Sequence, residues 1–233
     1  MKIYRDEEIL DYLNSPWYYF MKYKTDVVTY QQELSEAVEE IAEDFLEKIA
    51  QRRIMTKGDY VNSINKKLEQ FYKDIPNTDI LKAIKYLNDL YDYAESKKLH
   101  VVDYGKRVTL DFNGTQVVVK IGAIVKNKDS FYLFIPKYST RFNQMRSDFD
   151  IALTLQWRAI SEAYEEYILG IKCFTPKNKD KTITFRDLSS IKRLNFIVTN
   201  VIKGIEHEVF FPVREESSKN RRMLDVTERY IGG

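Results

Sequence analysis

The spacing of apolar residues changes character near residue 100. Before that point, apolar side chains recur three or four residues apart, which is the period of a helix with one buried face. This spacing predicts three helices, over residues 34–50, 60–72 and 79–94. A further helix is expected to begin at Ser15-Pro16, because serine caps free amide groups and proline loses no hydrogen bond at the first helical position. We therefore expect residues 1–100 to be a helical portion.

From residue 101 onward, apolar and polar residues alternate, which is typical of strands. The alternation predicts strands over residues 109–111, 117–125 and 131–135. Asn113-Gly114 is a strong signal for a two-residue hairpin turn, and Asn127-Lys128-Asp129 indicates a second turn. We expect three adjacent antiparallel strands of one sheet, packed against helices over residues 34–50 and 148–169.

The remaining pattern adds short strands over residues 171–175 and 182–185 and a helix over 188–205. The predicted fold class is α/β, of the mixed α+β kind, with a small mixed sheet flanked by helices. We expect one domain over residues 1–233. It would comprise the helical portion 1–100, a sheet core over 101–212 with flanking helices, and a polar tail over 213–233.

Composition excludes several classes of site. The chain has 233 residues with one cysteine and two histidines, which excludes a disulfide framework and a Cys/His zinc site. The start lacks the apolar run of a signal peptide, and no stretch reaches the roughly 18 apolar residues of a membrane span. There is also no Walker loop, no Gly-x-Gly-x-x-Gly and no Gly-x-Ser-x-Gly. We expect a cytoplasmic protein without membrane contact.

Charge is distributed unevenly along the chain. Residues 1–100 carry 15 basic and 19 acidic side chains, whereas residues 101–233 carry 22 and 16. Residues 120–146 contain a single acid, Asp129, and six basic residues: Lys120, Lys126, Lys128, Lys137, Arg141 and Arg146. Such a basic stretch can hold a phosphate backbone, so it predicts sequence-independent binding of DNA. The alternative is that these lysines protect exposed strand edges.

Several local strings carry a resemblance to one nuclease family. Residues 15–23 read SPWYYFMKY, and residues 34–39 read LSEAVE. With the order of elements, these strings resemble the RecB-type branch of the PD-(D/E)XK nucleases, which includes nuclease domains of recombination enzymes and CRISPR-associated exonucleases. The resemblance implies a restriction-endonuclease-like core. It aligns Ser15 with a cysteine that binds an iron–sulfur cluster in many members, and Glu39 with a metal-binding histidine.

The same alignment implies a degenerate active site. Family members carry an Asp at the end of one strand and an (Asp/Glu)-x-Lys motif on the next, where the two carboxylates hold Mg²⁺ or Mn²⁺. Here Gly122 replaces the Asp and Ile135 replaces the second carboxylate. Lys137 and the helical Gln156 remain as candidate catalytic residues, and Glu39 is the one candidate metal ligand. No cysteine follows Pro212, so the cluster is lost as well.

The sequence therefore predicts a nuclease-like protein without a cofactor that binds DNA or a DNA-processing complex, in phage or mobile-element DNA metabolism. One alternative is an active Mg²⁺- or Mn²⁺-dependent exonuclease with relocated ligands, drawn from Asp103, Asp111, Asp129, Glu36, Glu39 or Glu40. Another is a structural subunit that docks onto a protein through the acidic face of the helix over 34–50. Fold alone does not choose among them.

Overall fold

Most of the predicted helices lie close to their expected positions. The structure is a computed structural model, and it describes residues 2–25, 33–53, 55–127, 130–139, 148–164, 168–177 and 179–210. The described α-helices are α1 (Asp6–Asn14), α2 (Pro16–Tyr23), α3 (Leu34–Ala50), α4 (Lys57–Leu68), α5 (Asn77–Lys97), α6 (Ile151–Ala163) and α7 (Leu188–Glu206). A 3-10 turn at Glu69–Phe71 follows α4. Ser15 caps α2 as expected, because its hydroxyl accepts a hydrogen bond from the Tyr18 N–H at 3.1 Å.

The larger sheet has five strands in the order β2-β5-β6-β7-β8. The pairs are antiparallel except for β6 and β7, which run parallel. The sheet is therefore mixed. Its strands are β2 (His100–Asp103), β5 (Ala123–Asn127), β6 (Ser130–Pro136), β7 (Ile168–Thr175) and β8 (Lys179–Thr184).

The smaller sheet has three strands in the order β1-β4-β3, formed by β1 (Ile3–Arg5), β4 (Thr115–Lys120) and β3 (Arg107–Phe112). Strand β1 runs parallel to β4. The predicted turn joins β3 to β4, with positive φ angles of 54° at Asn113 and 86° at Gly114. These angles match the hairpin turn that the Asn-Gly pair favours.

One strand prediction is wrong. The expected strand over 117–125 is divided into β4 and β5, and the two parts belong to different sheets. The division lies at Ile121-Gly122, where Ile121 exchanges backbone hydrogen bonds with Gly105 and Lys106 at 2.9 and 2.8 Å. The predicted single three-stranded sheet is therefore replaced by a hairpin in one sheet and the β5–β6 pair in the other. The predicted helix over 148–169 is also too long, because β7 begins at Ile168.

Contacts divide the chain into two compact units. The first comprises Met1–Gln31, Thr109–Val119 and Ile191–Gly233; the second comprises Gln32–Val108 and Lys120–Ser190. Within the first unit, the Tyr12 hydroxyl donates a hydrogen bond to the Val209 carbonyl at 2.6 Å, and Lys22 pairs with Asp11 at 2.7 Å. The prediction of a single domain stays a prediction.

The second unit has a large apolar core. The buried faces of α3, α4 and α5 pack with side chains of the five-stranded sheet, including Val125, Phe134 and Phe174. The Tyr86 hydroxyl donates to the Phe174 carbonyl at 3.1 Å, which fixes α5 against β7. This packing places one end of α3 beside the residues that follow β6.

Helices α3 and α5 end in the same unusual way. Arg52 and Lys98 follow the last turns with left-handed φ angles of 55° and 47°. The next residues close the helices, because the Arg53 N–H donates to the Lys48 carbonyl and the Leu99 N–H donates to the Ala94 carbonyl. Glycine is the residue that this type of helix ending favours. Two long basic side chains occupy these positions instead.

The fold class is confirmed as mixed α/β, with helices and two mixed sheets. Among the described helices, none combines the length and the apolar character that crossing a membrane requires.

Candidate functional site

Lys137 lies directly after β6 and contacts helix α3. Its backbone N–H donates to the Phe174 carbonyl at 2.8 Å, which holds it at the end of the β6–β7 pair. Its ammonium lies 3.6 Å from Glu39 Oε2. The other carboxylate oxygen, Oε1, accepts a hydrogen bond from the Tyr138 N–H at 2.9 Å. Both side chains are less than one-third exposed, at 26% for Lys137 and 29% for Glu39. The pair therefore joins α3 to the sheet.

The surroundings shift the pKa of both partners. Burial lowers the pKa of Lys137, but the nearby carboxylates of Glu39 and Asp150 outweigh this and hold it above its ordinary value. Burial raises the pKa of Glu39, and this outweighs the opposite effects of Lys137 and the Tyr138 N–H. Lys137 is therefore a cation at neutral pH. In this state it cannot take a proton from a water molecule.

Gly122, Ile135 and Gln156 lie against one another, and Ile135 precedes Lys137 by two residues. The Gly122 N–H donates to Gln156 Oε1 at 2.9 Å. A methyl group built on Gly122 would lie 2.7 Å from Ile135 Cδ1 and 3.1 Å from Gln156 Oε1. The two positions where the resemblance expects carboxylates are thus neighbours in space. In this chain the first position is Gly122, whose backbone lies close to Ile135 and Gln156, and the second is the isoleucine itself.

A second lysine, Lys120, pairs with Glu43, which lies one helical turn after Glu39 on α3. The ammonium of Lys120 lies 3.3 Å from Glu43 Oε2, and the Tyr104 hydroxyl donates to the same oxygen at 2.9 Å. Burial raises the pKa of Tyr104, and the Glu43 carboxylate raises it further. Glu39 and Glu43 are one turn apart on α3, so they lie on the same face. We call Glu39, Glu43, Lys120, Lys137 and Gln156, with Gly122 and Ile135, the Lys137 cluster.

The predicted DNA-binding residues do not share one setting. Lys120 and Lys137 belong to the Lys137 cluster, whereas Lys126 lies at the far end of β5. With β5 rising about 3.3 Å per residue, Lys126 is roughly 13 Å from Gly122 along the strand. Lys128, Arg141 and Arg146 lie outside the described residues.

The acidic face of α3 is largely engaged within the chain. Besides Glu39 and Glu43, the carboxylates of Glu40 and Asp44 bind Lys67 at 3.2 and 2.6 Å. Glu36 accepts a hydrogen bond from the backbone N–H of Glu33 at 3.1 Å. Fewer of these charges are therefore available to a partner than the sequence indicates.

Two of the carboxylates considered as relocated metal ligands have local roles. Asp111 accepts a hydrogen bond from the Gly114 N–H at 3.2 Å and supports the hairpin turn. Asp103 accepts from the Tyr104 N–H at 2.7 Å and from the Tyr164 hydroxyl. Both residues lie near strand ends. Asp129 lies outside the described residues.

Sequence reasoning missed Asp150. Its side chain accepts from the Leu153 N–H at 2.9 Å and caps α6, while its charge acts on Lys137. An aspartate directly before an apolar helix is a recognisable capping signal. No local sequence pattern indicates that Asp150 lies near Lys137. No group of three or more His, Cys, Asp or Glu side chains that could hold a metal ion occurs among the described residues.

The chain was compared with protein-family models and with curated proteins, and neither comparison returns a match.

Proposed function

We propose that the chain is a degenerate protein of the PD-(D/E)XK nuclease fold that binds DNA, or a DNA-processing complex, in phage or mobile-element DNA metabolism. The observation that supports this is that Ile135 and Gln156 both lie against Gly122, with Lys137 two residues beyond Ile135. Gly122 and Ile135 are brought together by the turn between the adjacent strands β5 and β6, whereas Gln156 lies 34 residues beyond Gly122. A chance resemblance would give no reason for Gln156 to bind the backbone at the first aligned position.

The chemistry of the Lys137 cluster favours binding without cleavage. Mg²⁺ and Mn²⁺ require several oxygen ligands, and Gly122 and Ile135 supply no side-chain oxygen. Gln156 Oε1 is used by the Gly122 N–H. Glu39 is already engaged by Lys137 and by the Tyr138 N–H. The residues at the aligned catalytic positions therefore do not fit a catalytic metal ion.

A digestion assay tests the proposal. The purified chain is incubated with end-labelled single-stranded and duplex DNA in Mg²⁺ and, separately, in Mn²⁺. We expect no cleavage in either ion, together with DNA binding that does not depend on sequence and weakens as salt rises. Digestion that disappears in the Lys137→Ala variant would overturn the proposal. If no DNA binding is found at low salt, the proposal is reduced to binding of a protein partner.

The second candidate is an active nuclease with relocated ligands. The observation that favours it is that two carboxylates, those of Glu39 and Asp150, act on Lys137. If this candidate is correct, digestion in Mn²⁺ will be lost in both Glu39→Gln and Asp150→Asn. The exposed Asp92→Asn is the matched control, because its carboxylate pairs with Lys57 on the surface.

A further inference from the structure

Lysines from three elements of the second unit line one shared pocket. Lys97 and Lys98 come from the end of α5, Lys126 from β5 and Lys172 from β7, and all four line one pocket of about 140 Å³. Tyr93 and Phe134 also line it, with nearly parallel rings whose centroids are 6.0 Å apart. The pocket therefore combines aromatic rings with several ammonium groups.

A more open concavity of about 670 Å³ adjoins this pocket. The two share Lys98, Leu99 and His100, and the second adds Arg52 from the end of α3. Among the described residues that line either one, none is acidic. We call the two together the basic groove, defined by six of its lining residues: Arg52, Lys97, Lys98, His100, Lys126 and Lys172.

The lysines of the basic groove are not neutralised within the described part of the chain. Of the ion pairs found there, none involves Arg52, Lys97, Lys98, Lys126 or Lys172. This contrasts with Lys120 and Lys137, which are both bound to carboxylates of α3. Like charges on one surface repel one another, so an anionic ligand that binds them would lower this repulsion.

Helix dipoles explain only part of this arrangement. Basic residues near the ends of α3 and α5 are favoured there because a helix C-terminus carries partial negative charge. Lys126 and Lys172 lie on strands, where this reason does not apply. Each ammonium lies over an aromatic ring of β6, on opposite faces of the sheet: that of Lys172 is 4.0 Å from the centroid of Tyr132, and that of Lys126 is 5.4 Å from the centroid of the preceding residue, Phe131.

We propose that the basic groove binds a chain of phosphate groups. The first pocket is smaller than the roughly 300–1,000 Å³ of most small-molecule sites, which suits one phosphate group better than a whole cofactor. The adjoining concavity extends the basic lining, which suits successive phosphates. Identifying the ligand as DNA rests on the proposed function; a free polyphosphate has the same chemistry.

Binding assays with two probes test this assignment. Fluorescence anisotropy measures a labelled 30-nucleotide oligothymidine, and calorimetry measures inorganic tripolyphosphate, both at 50 and 200 mM salt. The test variant is Lys97→Gln with Lys98→Gln, since both residues line the pocket and both side chains are exposed. The matched control is Lys82→Gln with Lys85→Gln, which removes the same charge from side chains of α5 that are 69% and 74% exposed.

We expect the test variant to weaken binding of both probes about tenfold at 50 mM salt, and to lower the slope of log K against log salt by about 1–2. The control should change binding by less than about twofold. The melting temperatures of both variants should equal that of the parent, so a loss of binding will not reflect a loss of folding.

The outcomes separate the two proposals. Oligothymidine binding that is equal in the parent and the test variant overturns the basic groove and leaves the proposed function standing. Tripolyphosphate binding that requires the basic groove, with no binding of oligothymidine, supports the groove and overturns single-stranded DNA as the ligand. Absence of binding of either probe by the parent overturns the groove. An equal loss in the test and control variants also overturns it, because only net charge would then matter.

Discussion

The two ends of strand β5 place lysines in opposite electrostatic settings. Near its start, Lys120 and Lys137 are bound to Glu43 and Glu39 of α3. Near its end, Lys126 joins the basic groove, whose described lining contains no carboxylate. Linear sequence places all three in one basic stretch. A run of lysines can therefore divide into charges that hold the fold together and charges that remain available to a ligand.

The largest effect on stability is expected from a carboxylate at Gly122. Gly122→Asp forces a side chain against Ile135 and buries a charge, so it should lower the free energy of unfolding by about 3 kcal/mol. Urea denaturation measures this loss. Adding Ile135→Ala should recover part of it if the two side chains compete for one space.

The matched control for this substitution is Gly58→Asp. Gly58 lies in the first turn of α4, where an added methyl group meets no atom closer than 3.8 Å. An acidic residue is favourable in that position, so stability should be unchanged or slightly higher. If Gly58→Asp and Gly122→Asp lower the free energy of unfolding equally, crowding at Gly122 is not the cause of the loss.

The next effect distinguishes the two lysine settings directly. Lys137→Met leaves Glu39 without its cation and should cost about 1–2 kcal/mol at pH 8, given that both side chains are partly exposed. Lys126→Met removes a charge that has no described carboxylate partner and should leave the melting temperature unchanged or higher. Thermal denaturation of both variants measures the difference.

The cost of Lys137→Met should depend on pH. The pKa of Glu39 is already above its ordinary value because of burial, and loss of Lys137 raises it further. The folded variant then binds a proton more readily than the unfolded chain does, so its stability falls as pH rises through the pKa of Glu39. Destabilisation should be smaller at pH 5 than at pH 8. Equal destabilisation at both would contradict the pairing of Lys137 with Glu39.

The smallest effect is expected at the end of α5. Lys98→Gly relieves a left-handed backbone and should raise stability by about 0.5–1 kcal/mol, while it removes one charge from the basic groove. Affinity for oligothymidine should fall by a few-fold as the melting temperature rises. A variant that gains stability and keeps its full affinity would exclude Lys98 from the groove's ligand contacts.

The sequence predicts local structure well and the assembly of sites poorly. The Asn113-Gly114 turn and the cap at Ser15 depend on neighbouring residues, and both are confirmed. The division at Ile121-Gly122 is hidden, because a single glycine within an apolar run is compatible with a continuous strand. The backbone pairing of Ile121 with Gly105 and Lys106 decides it, and no local pattern signals that pairing.

The same limit applies to the two sites. The resemblance aligns Glu39 and Lys137 with functional positions, but it does not indicate that they neutralise each other. The basic groove has a weaker signal still, because Lys98 and Lys172 come from distant parts of the chain and meet only in the folded protein. The predicted stretch over 120–146 included Lys126 alone among the groove's residues.

The left-handed endings at Arg52 and Lys98 have a consequence for engineering this protein. Methods that select variants by heat resistance, or that choose the commonest residue for a helix ending, would place glycine at both positions. Each change would remove a cation from the basic groove at the same time. A thermostable variant obtained in this way would fold well and would have lost part of the activity being sought. Selection should therefore score polyanion binding together with stability.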